Sequence, residues 1–95
     1  MRHNVTETAI ADLNEILTYS RLRFGEDVAV EYFFSFDEVF DLLSRHPHAG
    51  VAADDVRLGL RRITHRQHRV FYRIVDDEVR ILRVLHHAMD IDKQL

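Results

Sequence analysis

Two runs in which apolar and polar residues alternate, His68 to Val75 and Val79 to Leu85, are separated only by Asp76-Asp77-Glu78. Alternation with a period of two marks strands, and three acidic residues leave room only for a tight turn. The pair must therefore be an antiparallel hairpin. A further run, Val56 to Ile63, reaches it through the polar break Thr64 to Gln67, which predicts a three-strand meander. In the middle strand Val70, Tyr72 and Ile74 share one face, and Arg69, Phe71, Arg73 and Val75 the other. In the last, Val79, Ile81 and Leu85 point one way, and Arg80, Leu82 and Val84 the other. One face needs a covering layer. The second mixes apolar residues with arginine, which is unusual for a face that meets only solvent.

The upstream half supplies the cover. Thr6 is placed as an N-cap, with the acidic Glu7 in the first turn. Ala9, Ile10, Leu13, Ile16, Leu17 and Phe24 recur at helical spacing, and Gly25 follows where a helix ends. This predicts a first helix from about Glu7 to Phe24. A second begins at Glu26 or Asp27 and carries the stripe Ala29, Tyr32, Phe33, Phe36, Val39, Phe40 and Leu43. Pro47, the only proline, stops it just after Arg45-His46. Two helices joined at one glycine fold back as a hairpin. Four of the six phenylalanines lie between Tyr32 and Phe40, and core filling is their expected role. His48-Ala49-Gly50 reads as a turn and Val51 to Asp55 as a loop. His3 to Val5 is too short to assign alone and is placed as an edge strand. The tail from Met89 is polar, helical in tendency and without a clear cap. The expectation is one α+β domain over residues 1–95, a helical hairpin packed on a small antiparallel sheet.

Charge and cysteine content bound the function. There is no cysteine, so disulfides and thiolate metal sites are excluded and a reducing, cytoplasmic setting is expected. No stretch is apolar enough to span a bilayer, and the N-terminus lacks the apolar core of a signal peptide. The net charge of -3 hides an asymmetry. Residues 1–56 hold four arginines against eleven acidic residues, whereas residues 57–95 hold nine Lys and Arg against five acidic ones. An acidic half joined to a basic half implies two faces with different partners.

Arg61, Arg69 and Arg73 with His86 and His87 bring cations for a phosphate and a base for a 2′-hydroxyl, the ingredients of RNA cleavage. A metal site from His65, His68, His86 and His87 is disfavoured. Adjacent histidines in a strand point to opposite faces, and no carboxylate is spaced to complete the set. The serines and threonines sit in no triad spacing, and the three glycines form no phosphate loop. No catalytic residue is assigned and no cofactor is called for. Protein binding fits better: an open, half-apolar sheet beside a hairpin groove suits an extended or helical peptide, and the arginines favour an acidic one.

Read in order, several segments carry a resemblance: Ala11-Asp12-Leu13-Asn14-Glu15-Ile16 with Tyr19, then Gly25 and Ala29 with Tyr32, then Leu42-Leu43-Ser44-Arg45-His46-Pro47 and Gly50. Gly59-Leu60-Arg61, Val70-Phe71-Tyr72-Arg73-Ile74 and Val84-Leu85-His86-His87-Ala88-Met89-Asp90 continue it. Together they resemble the ParE toxins of the RelE/ParE superfamily, proteins of bacterial type II toxin–antitoxin modules, over nearly the whole chain. The resemblance implies the same fold and an action on DNA gyrase, with no cofactor and no direct binding of nucleic acid. It also implies neutralisation by a ParD-like antitoxin that wraps its C-terminal segment around the toxin. The RelE branch instead cuts messenger RNA on the ribosome, using basic residues on the sheet and a C-terminal acid/base residue. Arg69 falls where that branch has a strand arginine. Met89 falls where it has another, and Leu95 near its tyrosine, so much of the ribonuclease apparatus is missing. Gyrase inhibition is the expected function, and ribosome-dependent mRNA cleavage the alternative. Antitoxin or target contacts are expected at Arg61, Arg69 and Arg73 and along the C-terminal His86, His87, Met89 and Asp90.

Overall fold

Thr6 does two jobs at once, and they set the architecture. Its N–H donates to the carbonyl of Ile81, which ends a strand, and its hydroxyl accepts from the N–H of Ala9, which caps a helix. The computed structural model describes residues 1–94. In it β1 (Arg2–Val5) leads into α1 (Glu7–Phe24) and α2 (Glu26–Arg45). There follow β2 (Val51–Ala52), β3 (Arg61–His65), β4 (His68–Val75), β5 (Glu78–His86) and a short α3 (Ile91–Gln94). Both long helices have the predicted bounds. Gly25, at a φ of 89°, closes one and opens the next: its N–H donates to Arg21 and its carbonyl accepts from Ala29. The tip is clasped by a two-pronged Arg21–Glu26 ion pair.

The sheet has five strands in the order β1-β5-β4-β3-β2. It is mixed rather than purely antiparallel, because β1 runs parallel to β5 with Arg2 opposite Glu78. Two expectations about strand limits are corrected. Val51 and Ala52 are not loop but pair with Arg62 and Arg61. Conversely, Val56 to Leu60 is not strand. Asp54 accepts the N–H of Gly59, which sits at a φ of 81°, and the resulting loop lays Leu60 and Val56 over Phe71 on the sheet's outer face. The supposed break begins later too. Thr64 and His65 belong to β3, and only Arg66 and Gln67 turn.

A third correction concerns facing. Phe71 pairs with Arg83 and Tyr72 with Ile81, so Leu82 is an extra residue in β5. This β-bulge inverts the side-chain parity downstream of it. Val84 therefore packs under the helices with Val70, Tyr72 and Ile81, while Leu85 joins Phe71, Leu60 and Ala53 on the other side. That is the reverse of strict alternation. The helix-side core is completed by Ala9, Leu13, Ile16, Phe36, Phe40 and Leu43. Phe36 and Phe40 fill it as expected, but Phe34, Ile10 and Phe24 are exposed. Among the described residues no helix is long and apolar enough to cross a membrane.

Candidate functional site

Asp12 lies on the α1 face that meets the bulge and is only 8% exposed. Its Oδ1 and Oδ2 accept the fork of Arg83 at 2.9 Å each, and Oδ2 also accepts the N–H of Val84 at 2.9 Å. The carboxylate thus takes up the backbone donor that the bulge would otherwise strand. Its hydrogen bonds to Arg83 raise that guanidinium's pKa further, against the opposing effect of burial. A remaining Arg83 nitrogen donates to the carbonyl of Gln94 at 2.6 Å, so one side chain ties helix, sheet and C-terminal segment together. These three elements frame a groove of about 510 Å³. Ile16, Tyr19, Leu85 and Met89 give it apolar walls, and Glu15, His68 and His86 a polar rim. Tyr19 and Leu22, the latter 83% exposed, carry the apolar surface on along α1.

Beside the groove stands a row of histidines. Pairing puts His65 opposite His68 and His68 opposite His86, so three rings cross three strands at one end of the sheet. α2 is fastened to them. The Tyr32 hydroxyl meets His68 Nδ1 at 2.6 Å, and the Ser35 hydroxyl meets His65 Nε2 at 2.7 Å. Tyr32 also stacks on His65, and the Arg66 guanidinium lies 5.5 Å from the Tyr32 ring. Burial, with His86, His65 and His87 close by, holds His68 down to about 4. Burial and Arg66 lower His65 as well, partly offset by Glu38, and burial raises Tyr32. The stability consequence has a definite sign. The unfolded chain takes up the His68 proton below about pH 6.5, whereas the native state resists until about pH 4. Stability is therefore lost as pH falls across that window. With the site partly open to water, the loss is expected to be about 1–2 kcal/mol. Urea unfolding at pH 7 and pH 4.5 measures it, and His68→Gln should flatten the slope.

The residues singled out from sequence do not converge. Arg61 lies opposite Tyr72 on the helix side, where it donates to the carbonyls of Gly50 (2.6 Å) and His48 (3.4 Å). Arg69 and Arg73 lie on the outer face, on either side of Phe71, and Arg73 donates to Leu58 at 2.6 Å. The expected three-arginine face is thus split, with two of its members bracing loops. His86 ends β5, and His87 has already left the strand to bond Gln67. Their rings stack at 4.4 Å instead of facing apart, because alternation ceases where the strand does. Among the described residues no three His, Asp or Glu side chains are arranged to hold a metal ion. Met89 lines the groove, while Asp90 accepts from the N–H of Asp92 and so supplies the cap of α3 that was not recognised. Leu95 lies outside the described residues. Sequence reading looked for a groove at the helical hairpin, not between α1, the sheet and the C-terminal segment, and it missed the bracing role of Asp12 and the Tyr32–His68 contact. Only the last left a signal: Tyr32 and Ser35 lie one helical turn apart on the face that meets the strand histidines.

Comparison with known proteins places this architecture. Residues 4–91 match the sequence profile of the family described as ParE toxin of type II toxin-antitoxin system, parDE. Toxin ParE1 of Caulobacter vibrioides is 36% identical over 88 residues, 93% of this chain and 91% of that protein. Toxin ParE1 of Mycobacterium tuberculosis is 33% identical over 95 residues, 99% of this chain and 97% of its own length. A solved structure described as a chromosomal ParDE TA system from P. aeruginosa superposes with a TM-score of 0.81. It covers 90% of this chain and 95% of that one at 23% identity, a likeness of fold. With its helical hairpin, bulged sheet and matched segments, the chain belongs to the ParE toxin family of type II toxin–antitoxin systems.

Proposed function

We propose that the protein is a toxin that acts by binding, with DNA gyrase as its target, and that a ParD-like antitoxin neutralises it. The carrying observation is that most of its chemically capable side chains are already engaged in holding the fold. Asp12 and Arg83 anchor the bulge, Arg61 and Arg73 brace loops, and His65 and His68 fasten α2. A ribonuclease of the RelE type would need its sheet arginines gathered on one phosphate, and here Arg61 stands on the opposite face from Arg69 and Arg73. What is left free is surface. The groove along α1 has apolar walls and a polar rim, which suits the apolar face of a short amphipathic helix from the antitoxin.

A supercoiling assay with purified gyrase tests the target. Saturating toxin is expected to block supercoiling and accumulate cleaved DNA, and equimolar antitoxin to restore activity. Full supercoiling at saturating toxin would remove gyrase from the proposal. Shortened mRNA 5′ ends appearing in cells after induction would replace it with the ribonuclease.

A further inference from the structure

β3 is covered along only part of its outer edge. β2 pairs with Arg61 and Arg62 alone. At Gly50 the chain turns into the interior, where its N–H donates to the Tyr72 hydroxyl. No side chain fits at that turn, since a Cβ there would lie 2.5 Å from the carbonyl oxygen of Arg62. Past this point, among the described residues, Ile63, Thr64 and His65 have β4 on one side and no strand on the other. The ladder identifies the free groups. His65 and His68 close a two-residue turn and so form a hydrogen-bonded pair. The next pair, Thr64 with Arg69, is then the open kind, which directs the N–H and C=O of Thr64 away from β4 to the uncovered edge.

The charge at this edge is uncompensated. Arg69 lies directly across from Thr64 and Arg62 two residues before it, so all three share the outer face. Neither arginine belongs to an ion pair among the described residues. On the opposite face Ile63 packs against the helix-side core, and His65 meets Phe36 edge to face at a centroid distance of 4.8 Å.

We propose that this edge receives an extended peptide of alternating character, added antiparallel to β3 in line with β2. Its acidic side chains lie over Arg62 and Arg69, and its apolar ones on the side of Ile63. A free N–H and a free C=O on one residue call for a partner that both donates and accepts, as a peptide backbone does. A phosphodiester, which only accepts, would leave the carbonyl unmet. The assignment rests on the antitoxin reading, because the antitoxin is the partner that would supply such a segment.

The test uses the toxin co-purified with its antitoxin. Exchange of the Thr64 amide is expected to slow by at least about tenfold in the complex relative to the free toxin. Thr64→Pro removes the edge N–H without taking a bond from β4, and should weaken association by about tenfold, whereas Thr64→Val should not. The double variant R62E/R69E should weaken it further and reduce its salt dependence. If Thr64→Pro does not fold, amide exchange in the unaltered complex decides. A tight complex in which Thr64 exchanges at its free rate overturns strand addition while leaving the antitoxin reading intact. Absence of any complex with the unaltered toxin overturns both.

Discussion

Replacing Asp12 by alanine is expected to destabilise the protein by about 3–5 kcal/mol, the range for removing one partner of a buried ion pair. The change leaves the Arg83 guanidinium and the Val84 N–H without the acceptor they share, at the one place where β5 has already lost its ladder. Asp12→Asn should cost less, because one oxygen still accepts from Val84. The double variant D12L/R83L should recover part of the loss, since it removes both charges together. Urea unfolding of the three variants measures this. A loss below about 1 kcal/mol for Asp12→Ala would mean that the strand register alone holds the bulge. The same series tests a coupling. Arg83 also grips the carbonyl of Gln94, so loss of Asp12 should loosen the C-terminal segment and open the groove before the sheet unfolds.

The helices were legible because each boundary has a local cause. A threonine accepts from a free N–H of the first turn, that of Ala9, a glycine takes a positive φ at the hairpin tip, and a proline follows the last turn of α2. The hairpin of β4 and β5 was equally local, with Asp76 and Asp77 both at positive φ in the two-residue turn. What could not be read depends on residues far apart in the chain. β1 was placed as an edge strand, but its partner and its parallel direction were hidden, because β5 lies 76 residues later (Arg2 opposite Glu78). The bulge is invisible to periodicity, since Leu82, Val84 and Leu85 are all apolar and fit either parity. The division of the candidate arginines between two faces was legible, by contrast. A break of four residues or of two alike puts Arg61 opposite Val70 or Tyr72, on the face away from Arg69, so the alternation already separates them.

Charge reversal at the arginines should therefore separate fold from binding instead of giving one uniform effect. Arg61→Glu would set a carboxylate against the carbonyls of Gly50 and His48, in place of the donor that now reaches them. The Arg61 Nε is already buried without a partner, so little water is present to relieve the new charge. The expected cost is about 2–4 kcal/mol of stability, with weaker antitoxin binding only as a consequence of partial unfolding. Arg73→Glu should follow it in kind by releasing the carbonyl of Leu58. Arg69→Glu should behave differently. It belongs to no ion pair among the described residues, so stability should change by no more than about 0.5 kcal/mol. Antitoxin affinity should nevertheless fall by more than about tenfold, because breaking an interfacial charge pair costs about 2–5 kcal/mol. Unfolding curves and titration calorimetry at two salt concentrations read the two effects independently. An Arg69→Glu protein that binds antitoxin as tightly as the parent would move the acidic partner off this face. An Arg61→Glu protein of parental stability would show that the loop before β2 does not depend on its guanidinium.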